Sequence, residues 1–292
     1  MSNGTIAPVG RNWIPIVIRA IVAGLFIGLV AANVWPILLL KLGMPLAGVV
    51  EAAFLAAYIW WAAGGGPPRS LRHTRADCFR VRSLSVSDWM WGLVAALAFA
   101  ATVHAAIVVL FRLVPYPAAA FHAGYDFSFI PGTAMQWLAV VISAASAGIC
   151  EETGFRGYMQ QPIESRLGPF TAILISSLFF MVVHLTKSWS TAGMVPIVFG
   201  AGILLGLLAW ASRSLVFCMI GHTIMDIGLF AYWWTQIAGT FSERPISETG
   251  VDARFGIECM ILLGMLSVTL FAILQLKQKR PPVPGLSATV RA

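Results

Sequence analysis

Six polar side chains set in apolar sequence have types and spacings that suit hydrolytic chemistry: Glu151, Glu152 and Arg156, then His184, then His222 and Asp226. In Cys150-Glu151-Glu152-Thr153-Gly154-Phe155-Arg156, a helix places Glu152 and Arg156, four residues apart, on one face where they can pair. Glu151 then points about 100° away, without that partner. A carboxylate kept ionised by a neighbouring cation, beside a second carboxylate in a low-dielectric setting, is the arrangement that general acid–base chemistry requires. Taken alone, Glu152 with Arg156 reads equally as a structural ion pair that fixes helix packing. His222 and Asp226 are also four apart and share a face. A lone histidine on an apolar helix is ordinarily a hydrogen-bonded core residue. A set of ionisable groups at one depth is not explained that way, because each costs about 2.5–3.5 kcal/mol on membrane insertion scales.

The chain that must position these groups has 292 residues, 59% of them hydrophobic and 11% charged, with a mean hydropathy of +0.83. A soluble domain runs about 45–50% apolar and about 25% charged, so a water-soluble globule does not fit. At about 20 apolar residues per membrane-spanning helix, the length accommodates roughly eight spans and no second, soluble domain. Apolar runs punctuated by Gly, Pro and charge place helices near 13–40, 45–63, 89–111, 134–166, 169–186, 195–211, 215–237 and 256–276. The first run is too long for the core of a cleavable signal peptide and reads as a transmembrane helix. The expected fold is therefore all-α, a polytopic membrane protein built as one embedded domain over 1–292. There is no internal repeat of the kind that builds two-halved transporters.

Between the second and third runs, Gly64-Gly65-Gly66-Pro67-Pro68 is followed by Arg69, Arg72, Arg75, Arg80 and Arg82, which the positive-inside rule assigns to the cytoplasm. Alternation of the helices then makes both termini cytoplasmic. Twelve Lys and Arg fall on that side (Arg11, the five linker arginines, Arg166, Arg213, Lys277, Lys279, Arg280 and Arg291) against five outside (Lys41, Arg112, Lys187, Arg244 and Arg254). The net charge of +7 thus reports loop orientation and contact with anionic lipid rather than nucleic acid, for which no aromatic-basic platform exists. The cell membrane is the expected location. Cys78, Cys150, Cys218 and Cys259 spell neither a disulfide framework nor a metal pair. Trp89 and Trp91, and Tyr232, Trp233 and Trp234, read as interfacial aromatic belts. The outer loops 112–131 and 238–255 offer no spacing that translates into chemistry. Arg19, Glu51 and Glu258 are expected to pair between helices or to snorkel, and His104 to be a packed core histidine.

The fourth and fifth runs form a hairpin turning at Gly168-Pro169, with Glu151 seventeen residues before Gly168 and His184 sixteen after it. Antiparallel helices of equal rise bring the two to one level, about 24 Å from the turn. Because Gln160, Gln161, Glu164, Ser165 and Arg166 should project from the bilayer, the pair is expected about 10–13 Å below the cytoplasmic surface. His222 enters the seventh span from the same side to a depth of about 10 Å, with Asp226 one turn deeper. The expectation is an organised site in a cavity open to the cytoplasmic leaflet.

Glu-Glu-x-x-x-Arg at 151–156, Phe180-x-x-x-His184 and His222-x-x-x-Asp226, in that order on apolar helices, resemble the signature of the CPBP family, the CAAX proteases and bacteriocin-processing enzymes also called the ABI family. The resemblance covers roughly 134–235, which it marks as the catalytic core. It implies an eight-helix membrane bundle and a glutamate-dependent intramembrane endopeptidase. By motif position, Glu151 would be the base that activates water, helped by His184; Glu152 and Arg156 would support it; His222 and Asp226 would line the oxyanion side. The family's last position is typically Asn, a hydrogen-bond donor, whereas Asp226 donates only when protonated. Either Asp226 is held neutral in an apolar site or, the preferred reading, it orients His222 and leaves that histidine as the electrophile.

The expected partner is a membrane-associated protein or peptide substrate. Prenylated CAAX proteins are what the best-known relatives cut, but nothing in this sequence encodes isoprenoid recognition. No cofactor is required by this reading. The competing enzyme is a zinc metalloprotease using His184, His222 and Glu151 or Asp226, for which HExxH spacing is lacking. A non-catalytic immunity or scaffold protein and a proton-coupled transporter are the readings from other classes.

Overall fold

The computed structural model describes residues 13–278. Arg11, Lys279, Arg280 and Arg291, part of the charge count above, and with them both termini, lie outside the described residues.

Nearly every described element is helical, in the order α1 (Trp13–Ala32), α2 (Val34–Leu42), α3 (Leu46–Ala62), α4 (Arg72–Cys78), α5 (Val86–Leu113), α6 (Ala118–His122), α7 (Thr133–Glu152), a π-helical stretch π1 (Thr153–Gln160), α8 (Gln161–His184), α9 (Met194–Ser212), α10 (Val216–Gly228), a second π-helical stretch π2 (Leu229–Trp234), α11 (Ile246–Thr249) and α12 (Ala253–Gln278). Among the described residues there is no strand. Among the described residues six stretches are long and apolar enough to cross a membrane, and large apolar side chains such as Phe26 and Phe170 lie exposed on the outer surface, as lipid contact requires. The protein is an all-α, integral, multi-pass membrane bundle.

The stretch Thr133–His184 is continuous over 52 residues. At about 1.5 Å per residue it would far exceed a hydrocarbon core of about 30 Å. It turns at Gly168, whose φ of 81° and ψ of 166° break the helix just before Pro169. A φ in this region suits glycine, and proline cannot donate back to the preceding turn. The two arms run antiparallel: Ser176 Oγ donates to the carbonyl of Phe155 at 2.9 Å, and His184 comes to the level of Glu151. The first apolar run divides at Asn33 into α1 and α2, and the second is a helix of 17 residues.

The apolar runs say nothing of π1. Its eight residues are all buried. A π turn leaves backbone carbonyls without their usual helical partners, and here Ser176 Oγ takes the carbonyl of Phe155 and Arg80 Nε that of Arg156 at 3.3 Å. The segment is pressed against α1 through glycines. A Cβ on Gly154 would come within 2.5 Å of the Gly24 carbonyl oxygen and 2.6 Å of the Gly28 Cα. Small residues four apart on α1 allow this backbone approach, the usual solution for helix contact in lipid.

The arginine linker does more than mark sidedness. It contains α4, and Arg75, buried, donates to the carbonyls of Gly65, Gly66 and Pro67 at 2.8, 2.9 and 2.9 Å, closing the Gly/Pro turn. Arg80 reaches Glu164 at 2.7 Å, tying the linker to the start of α8. Of the isolated polar residues, Arg19 donates to the Pro15 carbonyl of its own helix at 3.2 Å, and the others reach neighbouring helices. Glu51 accepts from Ser146 Oγ at 2.8 Å, Glu258 lies 3.5 Å from Arg112, and His104 packs with Nε2 at 3.0 Å from the Met225 carbonyl.

Candidate active site

Glu152 and Arg156 are fully buried and paired, with Arg156 Nη1 2.8 Å from Glu152 Oε1. The guanidinium also donates to the Gly202 carbonyl at 3.2 Å and lies 4.4 Å from the centroid of Phe180, so α7, α8 and α9 meet on this one cation. The same Glu152 oxygen is 2.8 Å from His222 Nδ1 on α10. His222 Nε2 then faces Asp226 Oδ2 at 3.5 Å. The carboxylate that hydrogen-bonds His222 is thus Glu152, from another helix, while Asp226, one turn away on the same helix, stands off at a longer distance.

Glu151 points to another side of α7, away from the arginine. Its Oε2 is 3.9 Å from His184 Nε2, and both side chains are mostly buried. That distance is too long for a direct hydrogen bond. Among the described residues Glu151 Oε2 has no hydrogen-bond partner. His184 Nδ1 lies 2.6 Å from the Phe180 carbonyl and donates its N–H there, which leaves the Nε2 lone pair toward Glu151 in the neutral ring. Phe180 packs edge-on to Phe155 and to His222, holding the two histidines apart at a fixed spacing.

Glu151, His184, His222 and Asp226 line one small chamber of about 90 Å³, whose remaining wall is largely apolar. A second, larger groove of about 520 Å³ meets it at Tyr125, Ala147, Glu151, His184, Lys187 and Phe230. The Glu151–His184 pair therefore stands at the junction of an inner chamber and an outer groove.

Three expectations are corrected by these surroundings. The cavity does not open toward the arginine linker. On that side Phe155, Arg156, Met159 and Gln160 of π1 fill the space, whereas α8 stops at His184, and the chain after it folds inward to bury Trp189. The void is left at the end of the bundle that carries the loops 114–132 and 185–193. The aromatic cluster closing α10 is also not a belt, for Trp233 and Trp234 are buried. Trp234 stacks on Tyr125 at 4.4 Å and on Trp189 at 5.4 Å to form the roof of the inner chamber. Nor is the outer loop 112–131 silent, since it supplies Tyr125, while Trp189 comes from the segment 185–193. No spacing in the sequence announces these residues; the one available signal is aromatic side chains in short polar loops.

Among the described residues no group of three or more His, Cys, Asp and Glu converges as a metal-ligand set.

Residues 133–228, which run from the start of α7 to the end of α10, match the family described as Type II CAAX prenyl endopeptidase Rce1-like. Over that segment the chain is similar to the CAAX protease family. The match takes in all six polar residues of the site. The first three long helices of the chain, and α12, fall outside the matched segment. Neither the curated proteins nor the solved structures contain a match to the chain.

Proposed function

We propose that the chain is a CAAX-type protease that cleaves a membrane-anchored protein or peptide with Glu151 as general base, and that 134–235 forms the catalytic core of a single embedded domain. The observation that carries the reading is Glu151 Oε2, buried without a hydrogen-bond partner among the described residues and facing His184 Nε2 across 3.9 Å at the chamber junction. A water in the adjoining chamber can donate one proton to Glu151 and the other to His184 Nε2. Glu151 takes its proton as the water oxygen bonds to the scissile carbonyl carbon. It returns that proton to the amine nitrogen as the C–N bond breaks.

The carbonyl oxygen gains negative charge in this step and needs a donor. His222 Nδ1 is committed to Glu152, so a proton shared between Nε2 and Asp226 Oδ2 supplies the donor facing the chamber. Glu152 and Arg156 act at one remove by fixing His222 and the turn of chain that bears Glu151. The scheme uses no cofactor. We further read the chain as crossing the cell membrane eight times, with both termini and the arginine linker cytoplasmic, in contact with anionic lipid.

The test compares new peptide ends by mass spectrometry in membranes carrying wild type or Glu151→Ala at matched expression. Ends found only with wild type are the expected result and identify the substrate class, prenylated or not. Identical sets, with candidate substrates shown to be present, overturn the peptidase scheme. Stoichiometric zinc in the purified protein would replace it with a metalloprotease.

A further inference from the structure

The two ends of the bundle differ in charge as well as in shape. The segments 63–88, 164–168, 212–215 and 277–278 gather at one end, as the pairs Phe217 with Trp89 and Lys277 with Trp210 show. They hold eight Lys and Arg against three Asp and Glu. The segments 41–45, 112–132, 185–193 and 235–258 lie at the other end and hold five of each sign. One of those five, Arg112, is buried among Glu243, Asp252 and Glu258, and another, Arg254, pairs with Glu243 and Glu258. The positive-inside rule counts Lys and Arg near span ends and so sets the first end in the cytoplasm.

The chamber and groove open at the second end. Much of their lining comes from that end: the α1–α2 junction, the loop at 124–129, residues 183–189 and the first turns of α9, with Phe180, His222 and Asp226 closing the inner wall. The groove's rim includes Leu40 and Phe129, both more than half exposed on the lipid-facing surface. Its polar margin is Asp126, Thr186 and Lys187.

We infer that the site is loaded from the non-cytoplasmic side, and that its substrate is the extracytoplasmic, membrane-proximal stretch of an anchored protein, entering along the groove between α2 and the end of α8. This rests on the peptidase reading for what happens at Glu151, but sidedness is a separate property. The rim supports an anchored occupant over a free peptide: it is apolar where it meets lipid and charged only toward water, so a chain leaving the membrane passes from one to the other as it reaches Glu151. A cytoplasmic tail would have to cross π1, whose residues are wholly buried.

The experiment is cysteine labelling with a membrane-impermeant maleimide, in intact cells and after permeabilisation. Cys78, Cys150 and Cys218 are buried, so a Cys259→Ala background suffices. Thr186→Cys and Ser128→Cys report the groove end and Arg72→Cys the linker end. The expected result is labelling of the first two in intact cells and of the third only after permeabilisation, a contrast of tenfold or more. Labelling of Arg72→Cys in intact cells, or no labelling of Thr186→Cys and Ser128→Cys until permeabilisation, overturns the inference. If the expected pattern appears but wild-type and Glu151→Ala membranes give identical peptide ends, the peptidase reading fails while the sidedness stands. If the wild-type ends all map to cytoplasmic segments, the substrate assignment fails while the peptidase stands.

Discussion

His222 Nδ1 lies 2.8 Å from Glu152 Oε1 across 70 residues of chain, and the same carboxylate oxygen is 2.8 Å from Arg156 Nη1. One oxygen therefore joins a cation that ties three helices to an imidazole that faces the inner chamber. This sets Glu152 apart from Glu151: adjacent in sequence, they leave α7 about 100° apart, one into a buried network and the other into the cavity.

Glu151→Gln and His184→Ala are expected to lower cleavage by about 10²–10⁴-fold, the usual contribution of positioned general-base chemistry. Both should leave the protein folded, since neither side chain holds a helix contact. Cleavage rate and thermal unfolding of the purified variants in detergent check this together.

Arg156→Met should act first on stability. Removing one partner of a buried pair leaves an uncompensated carboxylate and costs about 3–5 kcal/mol. In Glu152→Gln with Arg156→Met the loss should be smaller, because no buried charge remains. A double-mutant cycle of unfolding free energies decides whether the pair is coupled as the geometry indicates.

Asp226→Asn should keep activity within about tenfold of wild type, since an amide N–H supplies the donor that the shared proton provides. Cleavage rates of the two enzymes at saturating substrate, compared at one pH, check this.

Gly154→Ala should destabilise by about 1–3 kcal/mol as an overpacked contact, because its Cβ would fall 2.5 Å from the Gly24 carbonyl oxygen, a backbone atom with no rotamer to yield. Ala at Gly256, where a Cβ meets nothing within 4 Å, is the control expected to be neutral. Detergent unfolding curves distinguish them.

Asp252, in the turn before α12, accepts from Phe255 N–H at 2.7 Å and from Arg112 at 2.8 Å, which hold its carboxyl below the ordinary carboxylate range. The stabilisation is present above the unfolded value of about 3.9 and is lost as the pH falls through the lowered native one. Asp252→Asn should therefore be less stable than wild type from neutral pH down to about 5, and the gap should close in stronger acid. Unfolding at a series of pH values tests it.

The sequence by itself determined the class, the helical runs and the identities of the polar residues. These follow from local quantities: the length of an apolar run against bilayer thickness, the i, i+4 spacing of Glu152 with Arg156, and the equal distances of Glu151 and His184 from Gly168-Pro169. Only the tertiary structure decided which carboxylate holds His222, because Glu152 reaches it from another helix while Asp226 is nearer in sequence. It also decided where the cavity opens. That depends on π1 filling one side and on α8 ending at His184 on the other, and neither leaves a mark in hydropathy. Trp234 looks interfacial by composition, yet Tyr125 and Trp189 bury it. Burial of an aromatic side chain is a property of what packs against it, and a single sequence does not say which loop will.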